Sequence, residues 1–128
     1  MMGFFIHYIF MIKSINDYPN YTISDSGIVT NIITNKELKP SVYNGYPNLA
    51  LRNGGKPKKF KIHRLVAEHF IENPYNKPCV NHKNGIRHDN NISNLEWVTY
   101  DENNYHRHYG TIDKYVLASY IKTLIPLY

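Results

Sequence analysis

A single cysteine, Cys79, in 128 residues excludes an internal disulfide and any cysteine-built zinc cluster. Acidic residues are also in short supply. Ten Asp and Glu against 15 Lys and Arg leave a formal charge of +5, with seven histidines in addition. That balance suits a nucleic-acid partner, because each phosphate neutralised by a basic side chain releases a counterion. A solvated basic face without a partner accounts for the charge equally well. No long hydrophobic run is present. The most apolar stretch, residues 1–12, is too short to span a bilayer and lacks the positive flank and cleavage site of a secretory signal, so no membrane partner is expected. Met11 is an alternative start that would make residues 1–10 an upstream extension; otherwise that segment packs on the core. Neither internal repeats nor long low-complexity tracts are found.

What is present is enough for one modest core: 42% of residues are hydrophobic, which argues against global disorder. Twelve tyrosines against one tryptophan imply a surface rich in amphipathic aromatics. Residues 17–31 combine a Pro turn, alternating Tyr21 and Ile23 and an Asp-Ser-Gly turn, which predicts a short hairpin. Residues 45–63 predict a second hairpin. Tyr46, Leu49 and Leu51 lead into the turn Asn53-Gly54-Gly55-Lys56-Pro57, and the return strand carries Phe60 and Ile62 on an apolar face, with Lys58, Lys59 and Lys61 assigned to a basic outer face. Residues 64–72 carry Leu65, Val66, His69 and Phe70 at helical spacing and end at Asn73-Pro74. His69, on that stripe, is read as structural. Residues 113–124 predict a last amphipathic helix.

The segment most informative about chemistry is residues 80–104, VNHKNGIRHDNNISNLEWVTYDENN. Cys79-Val80-Asn81-His82 reads as a strand, 83–93 as a polar loop, and Asn94, Leu95, Trp97 and Thr99 as a second strand. Thr99-Tyr100-Asp101-Glu102 fits a capping box, so a helix should run from there to about His108, stopped by Gly110. A ββα unit of this kind can bring His82, Asn94 and Asn103 to one point.

These residues resemble the HNH nuclease family, specifically its phage and intron-encoded homing endonucleases. His82, Asn94 and Asn103 stand at the family's spacing, and Asn94-Leu95-Glu96-Trp97 is a signature of the branch. Upstream, His63-Arg64-Leu65-Val66-Ala67 with Phe70-Ile71 and Asn73-Pro74 looks like its lead-in helix. Tyr21, Ile23-Ser24-Asp25 and Gly27 look like the small module that often precedes these domains. The resemblance covers about residues 15–108. It implies an α+β fold: a β-rich, DNA-contacting module over 11–57, a ββα-metal nuclease domain over 58–110 and a C-terminal helix over 111–128.

The resemblance further implies metal-assisted hydrolysis of a DNA phosphodiester, leaving 5′-phosphate and 3′-hydroxyl ends. An imidazole suits the base, since its pKa lies near neutrality. His82 would be that base, and Asn94 would hold its ring by a hydrogen bond. One divalent cation, Mg²⁺ or Mn²⁺, would be held by Asn81 and Asn103. Position 81 is frequently Asp or His in the family; a neutral Asn here keeps open the alternative of a DNA-binding module that cuts poorly or not at all. Taken singly, Asn81, Asn94 and Asn103 are ordinary turn or cap residues. Double-stranded DNA is the expected partner, contacted by Lys58, Lys59, Lys61, His63, Arg64, Lys83 and Arg87. His88, His106 and His108 are equally well read as phosphate contacts or as ordinary surface residues, and Asn90 and Asn91 as shapers of the loop. A homodimer through 113–128 is a further expectation.

Overall fold

The computed structural model describes residues 11–110. The expected helix over 113–124, the dimer contacts assigned to 113–128 and the alternatives for residues 1–10 lie outside the described residues. Among the described residues, nine strands and two α-helices follow one another: β1 (Ile12–Ile15), β2 (Tyr18–Ser24), β3 (Val29–Asn31), β4 (Lys36–Glu37), β5 (Ser41–Tyr43), β6 (Tyr46–Leu51), β7 (Lys58–Lys61), α1 (Ile62–Phe70), β8 (Cys79–His82), β9 (Leu95–Val98) and α2 (Tyr100–Tyr109). They form antiparallel sheets of four, three and two strands, in the orders β1-β2-β3-β4, β5-β6-β7 and β8-β9. The mixture of small sheets and two helices is the α+β class that the sequence implies.

Helix α1 is the hub. It packs against β1 and β2 of the first sheet, β6 and β7 of the second, and β8 and β9 of the third. Its stripe of Ile62, Leu65 and Val66, at i, i+3 and i+4, is buried and joins Ile15, Ile23, Val29, Leu49, Leu51 and Leu95 in one cluster. The expected division at 57/58 falls in the turn between β6 and β7, and this core runs across it. Relative to the expected span 64–72, the helix starts earlier, directly off β7, because Ile62 extends the apolar stripe. It stops at Phe70, and the Ile71 carbonyl accepts from Trp97 Nε1 at 3.0 Å. His69 is structural: its Nε2 accepts from the Asn16 backbone N–H at 3.0 Å and its Nδ1 lies 2.7 Å from the Leu65 carbonyl oxygen.

Two further differences follow from strand register. Lys58 is opposite Leu51 and Phe60 opposite Leu49, so Lys58 shares the face of Phe60, with its ammonium 5.4 Å from the centre of that ring. Only Lys59 and Lys61 share the other face, because side chains alternate with a period of two. Asn94 does not open β9. It closes a 3₁₀ turn, Ile92–Asn94, whose start is capped by the Asn91 side chain.

Candidate active site

The pairing of β8 with β9, His82 opposite Leu95 and Asn81 opposite Glu96, brings the end of the first strand beside the start of α2. The capping box forms: Thr99 Oγ1 accepts from the Glu102 N–H at 3.1 Å, and Glu102 Oε1 accepts from the Thr99 N–H at 3.0 Å. Lys77 reaches the same carboxylate at 3.0 Å, and its charge with the Thr99 hydrogen bonds holds Glu102 below the usual carboxylate range despite burial. The capped turn places Asn103 on the cleft, with His106 and Arg107 one turn further on. A cleft of about 340 Å³ results, lined also by Asn81 and His82 of β8, Arg87 of the loop and Tyr46 of β6.

His82 is 5% exposed, and its Nε2 lies 2.8 Å from Oδ1 of Asn90. An amide oxygen can only accept, so Nε2 carries the proton and Nδ1 keeps its lone pair. Burial pushes the imidazole below its ordinary pKa, against the Asn90 hydrogen bond and the Asp89 charge that favour the cation; Arg87 and His106 add to the lowering. The ring is therefore a neutral acceptor at neutral pH.

Asn90 is in turn held by the upstream sheet. The Ile92 N–H donates to the Asp25 carbonyl at 2.8 Å, which ties the loop to the Asp25-Ser26-Gly27 turn. Gly27 has φ +88°, and a Cβ there would stand 3.0 Å from the Cβ of Asn90 and from Cγ2 of Ile62. Glycine is required at this position both for the left-handed backbone and for the approach to Asn90.

Asn94 does not hold the imidazole. Its Nδ2 donates to Asn84 Oδ1 and to the Asp89 carbonyl, both at 2.9 Å, and its Oδ1 accepts from the Asn84 N–H at 3.1 Å. It is a buried staple across loop 83–93. The hydrogen bond assigned to it is made by Asn90, eight residues after His82 rather than twelve, because the loop folds back over the ring.

Asn81 is buried, and its Nδ2 donates to Glu96 Oε1 at 3.4 Å. With the nitrogen committed, Oδ1 is the atom left to ligate. Asn103 offers a second amide oxygen on the same cleft. Neutral oxygen donors suit a hard cation such as Mg²⁺ or Mn²⁺ rather than zinc. No carboxylate is among the described residues lining the cleft, and no group of three or more His, Cys, Asp or Glu is gathered among the described residues. The residues thus fit an ion held weakly by protein and completed by phosphate oxygens.

Of the expected DNA contacts, Lys58, Lys59, Lys61, Lys83 and Arg87 are exposed. Arg87 is also tied to the β5–β6 turn, with Nη1 3.0 Å from the Asn44 carbonyl and its guanidinium 4.7 Å over the Tyr46 ring. Arg64 is occupied structurally: Nη1 donates to the Pro78 carbonyl at 3.0 Å, the guanidinium lies over Trp97 at 5.4 Å, and Nε is 3.6 Å from Glu68. His63 is 6% exposed and cannot serve as a surface contact; burial, with the nearby His82, Lys61 and Arg64 charges, lowers its pKa to about 3. Sequence reasoning missed Asn90 as the partner of the His82 ring. It also read Tyr46 only as a strand residue, although an aromatic on the strand paired with the basic β7 was a usable signal. His106 and Arg107 join the cleft through their spacing from Asn103 on a helix.

The HNH endonuclease family profile matches residues 60–105. An uncharacterized HNH endonuclease of Acanthamoeba polyphaga mimivirus is 44% identical over 94 residues, 73% of this chain and 28% of the relative. DNA endonuclease I-HmuI of Bacillus phage SP01 is 42% identical over 89 residues, 68% of this chain and 51% of the relative. The chain therefore spans about half or less of these relatives. A solved structure described as DNA binding and cleavage by the HNH homing endonuclease I-HmuI superposes with a TM-score of 0.72 at 36% identity, covering 88% of this chain and 66% of that one.

Proposed function

Because the chain belongs to the HNH endonuclease family, we propose that it hydrolyses phosphodiester bonds of double-stranded DNA, with His82 as general base and a divalent ion held by Asn81 and Asn103. The observation that carries this reading is the 2.8 Å bond from His82 Nε2–H to Asn90, which fixes the tautomer with a free lone pair on Nδ1. A neutral imidazole lining the cleft can take the proton of an attacking water. Arg87, His106 and Arg107 on the same cleft offer positive charge and donors to the phosphate oxygens. When bound, the metal ion supplies electrostatic stabilisation of the charge that develops on the scissile phosphate. Divalent-metal dependence is general in the family; Mg²⁺ and Mn²⁺ are the ions that the amide-oxygen donors favour. Lys59 and Lys61, on one exposed face beside Tyr46, extend the basic surface for the DNA backbone.

A second reading, a DNA-binding module that cuts poorly, is favoured by one observation: no carboxylate is among the described residues on the cleft. Nicking of supercoiled plasmid with Mg²⁺ or Mn²⁺ separates the two. Wild type should nick and His82→Ala should lose at least about a hundredfold in rate, the usual scale of a lost general base. Equal rates in the two proteins, with DNA still bound, would establish the second reading instead.

A further inference from the structure

Three rings from three elements meet at the back of the cleft. Tyr46 of β6 stacks on His63 of α1, with centroids 5.2 Å apart and planes at 27°. His63 in turn packs on His82 of β8 at 4.9 Å and 44°. Tyr46 and His82 close the triangle at 6.2 Å. The outer ring is itself held by cations, Lys61 at 5.2 Å and Arg87 at 4.7 Å from its centre. The middle ring is the unusual one. His63 is 6% exposed, and its Nδ1 is buried with no hydrogen-bond partner.

A single hydrogen bond from His82 Nε2–H to Asn90 Oδ1 fixes one atom of the His82 ring but leaves the ring free to tilt about that bond. Flat neighbours on its side remove that freedom. An aliphatic side chain in place of His63 would fill the space without presenting a plane. A charged side chain would set a positive charge about 5 Å from the base.

We propose that His63, backed by Tyr46, is a positioning residue for His82: a flat, uncharged wall that holds the imidazole in the orientation in which Asn90 can bond Nε2–H and leave Nδ1 toward the cleft. His63 touches no reacting atom in this scheme. The inference rests on His82 being the base of a nuclease, so its test includes a measurement that needs no cleavage.

The full chain is compared with His63→Ala, His63→Phe and Tyr46→Leu by two methods. Long-range ¹H–¹⁵N NMR of the imidazoles, recorded without DNA or metal, reads the tautomer of His82. Single-turnover plasmid nicking at saturating protein with Mg²⁺, beside a DNA-binding titration, separates rate from affinity. Wild type should show a fixed Nε2–H pattern. His63→Ala should average the two nitrogens and lower the saturated rate tenfold or more, with DNA affinity within twofold. His63→Phe, which keeps the ring, should restore both, and Tyr46→Leu should fall between. His82 nitrogen shifts and a saturated rate unchanged in both His63→Ala and Tyr46→Leu would overturn the proposal, as would a His63→Phe as impaired as His63→Ala. If His63→Ala does not fold, Tyr46→Leu and His63→Phe decide the matter alone. A wild type that nicks no plasmid defeats the endonuclease reading, while the imidazole shifts still report whether His63 positions His82.

Discussion

Acid should weaken this fold most strongly through His63. Its ring is buried, its Nδ1 has no partner, and its pKa is about 3 against an ordinary 6.5. A lowered folded value means that the unfolded chain binds the extra proton first. Stability from this group is therefore complete above about pH 6.5 and is lost as pH falls towards the folded value. At pH 5 the unfolded histidine is protonated and the folded one is not; one and a half pH units at roughly 1.4 kcal/mol each amount to about 2 kcal/mol. Within this window the loss is the same whether the folded value is 3 or 4, since both lie below pH 5. Against a typical total of about 5–15 kcal/mol this is a measurable fraction. The assay is urea unfolding at pH 7 and pH 5 for wild type and His63→Phe. With a slope of roughly 1–2 kcal/mol per molar urea, the wild-type midpoint should fall by about 1–2 M more than that of the variant. His82, whose pKa burial also lowers, is present in both proteins and largely cancels in the difference. Equal midpoint shifts in the two proteins would refute the reasoning, because the acid sensitivity would then lie elsewhere.

The two loop asparagines should separate by phenotype. Asn90→Ala removes the hydrogen bond to His82 Nε2 and should lower plasmid nicking about 10–100-fold with DNA affinity unchanged, whereas Asn94→Ala removes three hydrogen bonds of the loop and should cost about 2–4 kcal/mol by urea unfolding. The reverse pattern would restore to Asn94 the role of orienting His82. Gly27→Ala combines a left-handed backbone with a 3.0 Å approach to Asn90, so it should lose roughly 1–3 kcal/mol and slow nicking, although Gly27 lies more than fifty residues from His82 in the chain; a neutral outcome in both assays would contradict the buttress. Lys59→Ala and Lys61→Ala should each reduce the slope of log affinity against log salt by about one, while Arg64→Ala should leave that slope alone and cost about 1–2 kcal/mol of stability. A salt slope altered by Arg64→Ala would return that residue to the DNA face.

Local signals were legible wherever the cause of structure was local. The capping box at Thr99 and Glu102 needs only four consecutive residues, and the strand ending in Asn81-His82 needs only its flanking turns. The apolar stripe of α1 is a matter of spacing. The spacing of His82, Asn94 and Asn103 likewise carried the resemblance to the HNH family, because the ββα unit is nearly contiguous in sequence. The face of Lys58 is likewise local, set by strict alternation with Phe60.

What the sequence by itself determined is the ββα unit, the identity of His82 as its imidazole and the family to which these belong. Which side chain orients that imidazole was decided only by tertiary structure. A polar loop of eleven residues rich in Asn offers several amides of equal local merit, and only its folded path puts Asn90 on Nε2 and turns Asn94 into a staple. That path depends on a contact from Asp25 and Gly27, far upstream. The same holds for His63 and Tyr46. Each reads as a helix or strand residue until α1 and β6 pack together and stack their rings behind His82, since burial and ring contact are properties of elements brought together and leave no mark in the order of residues.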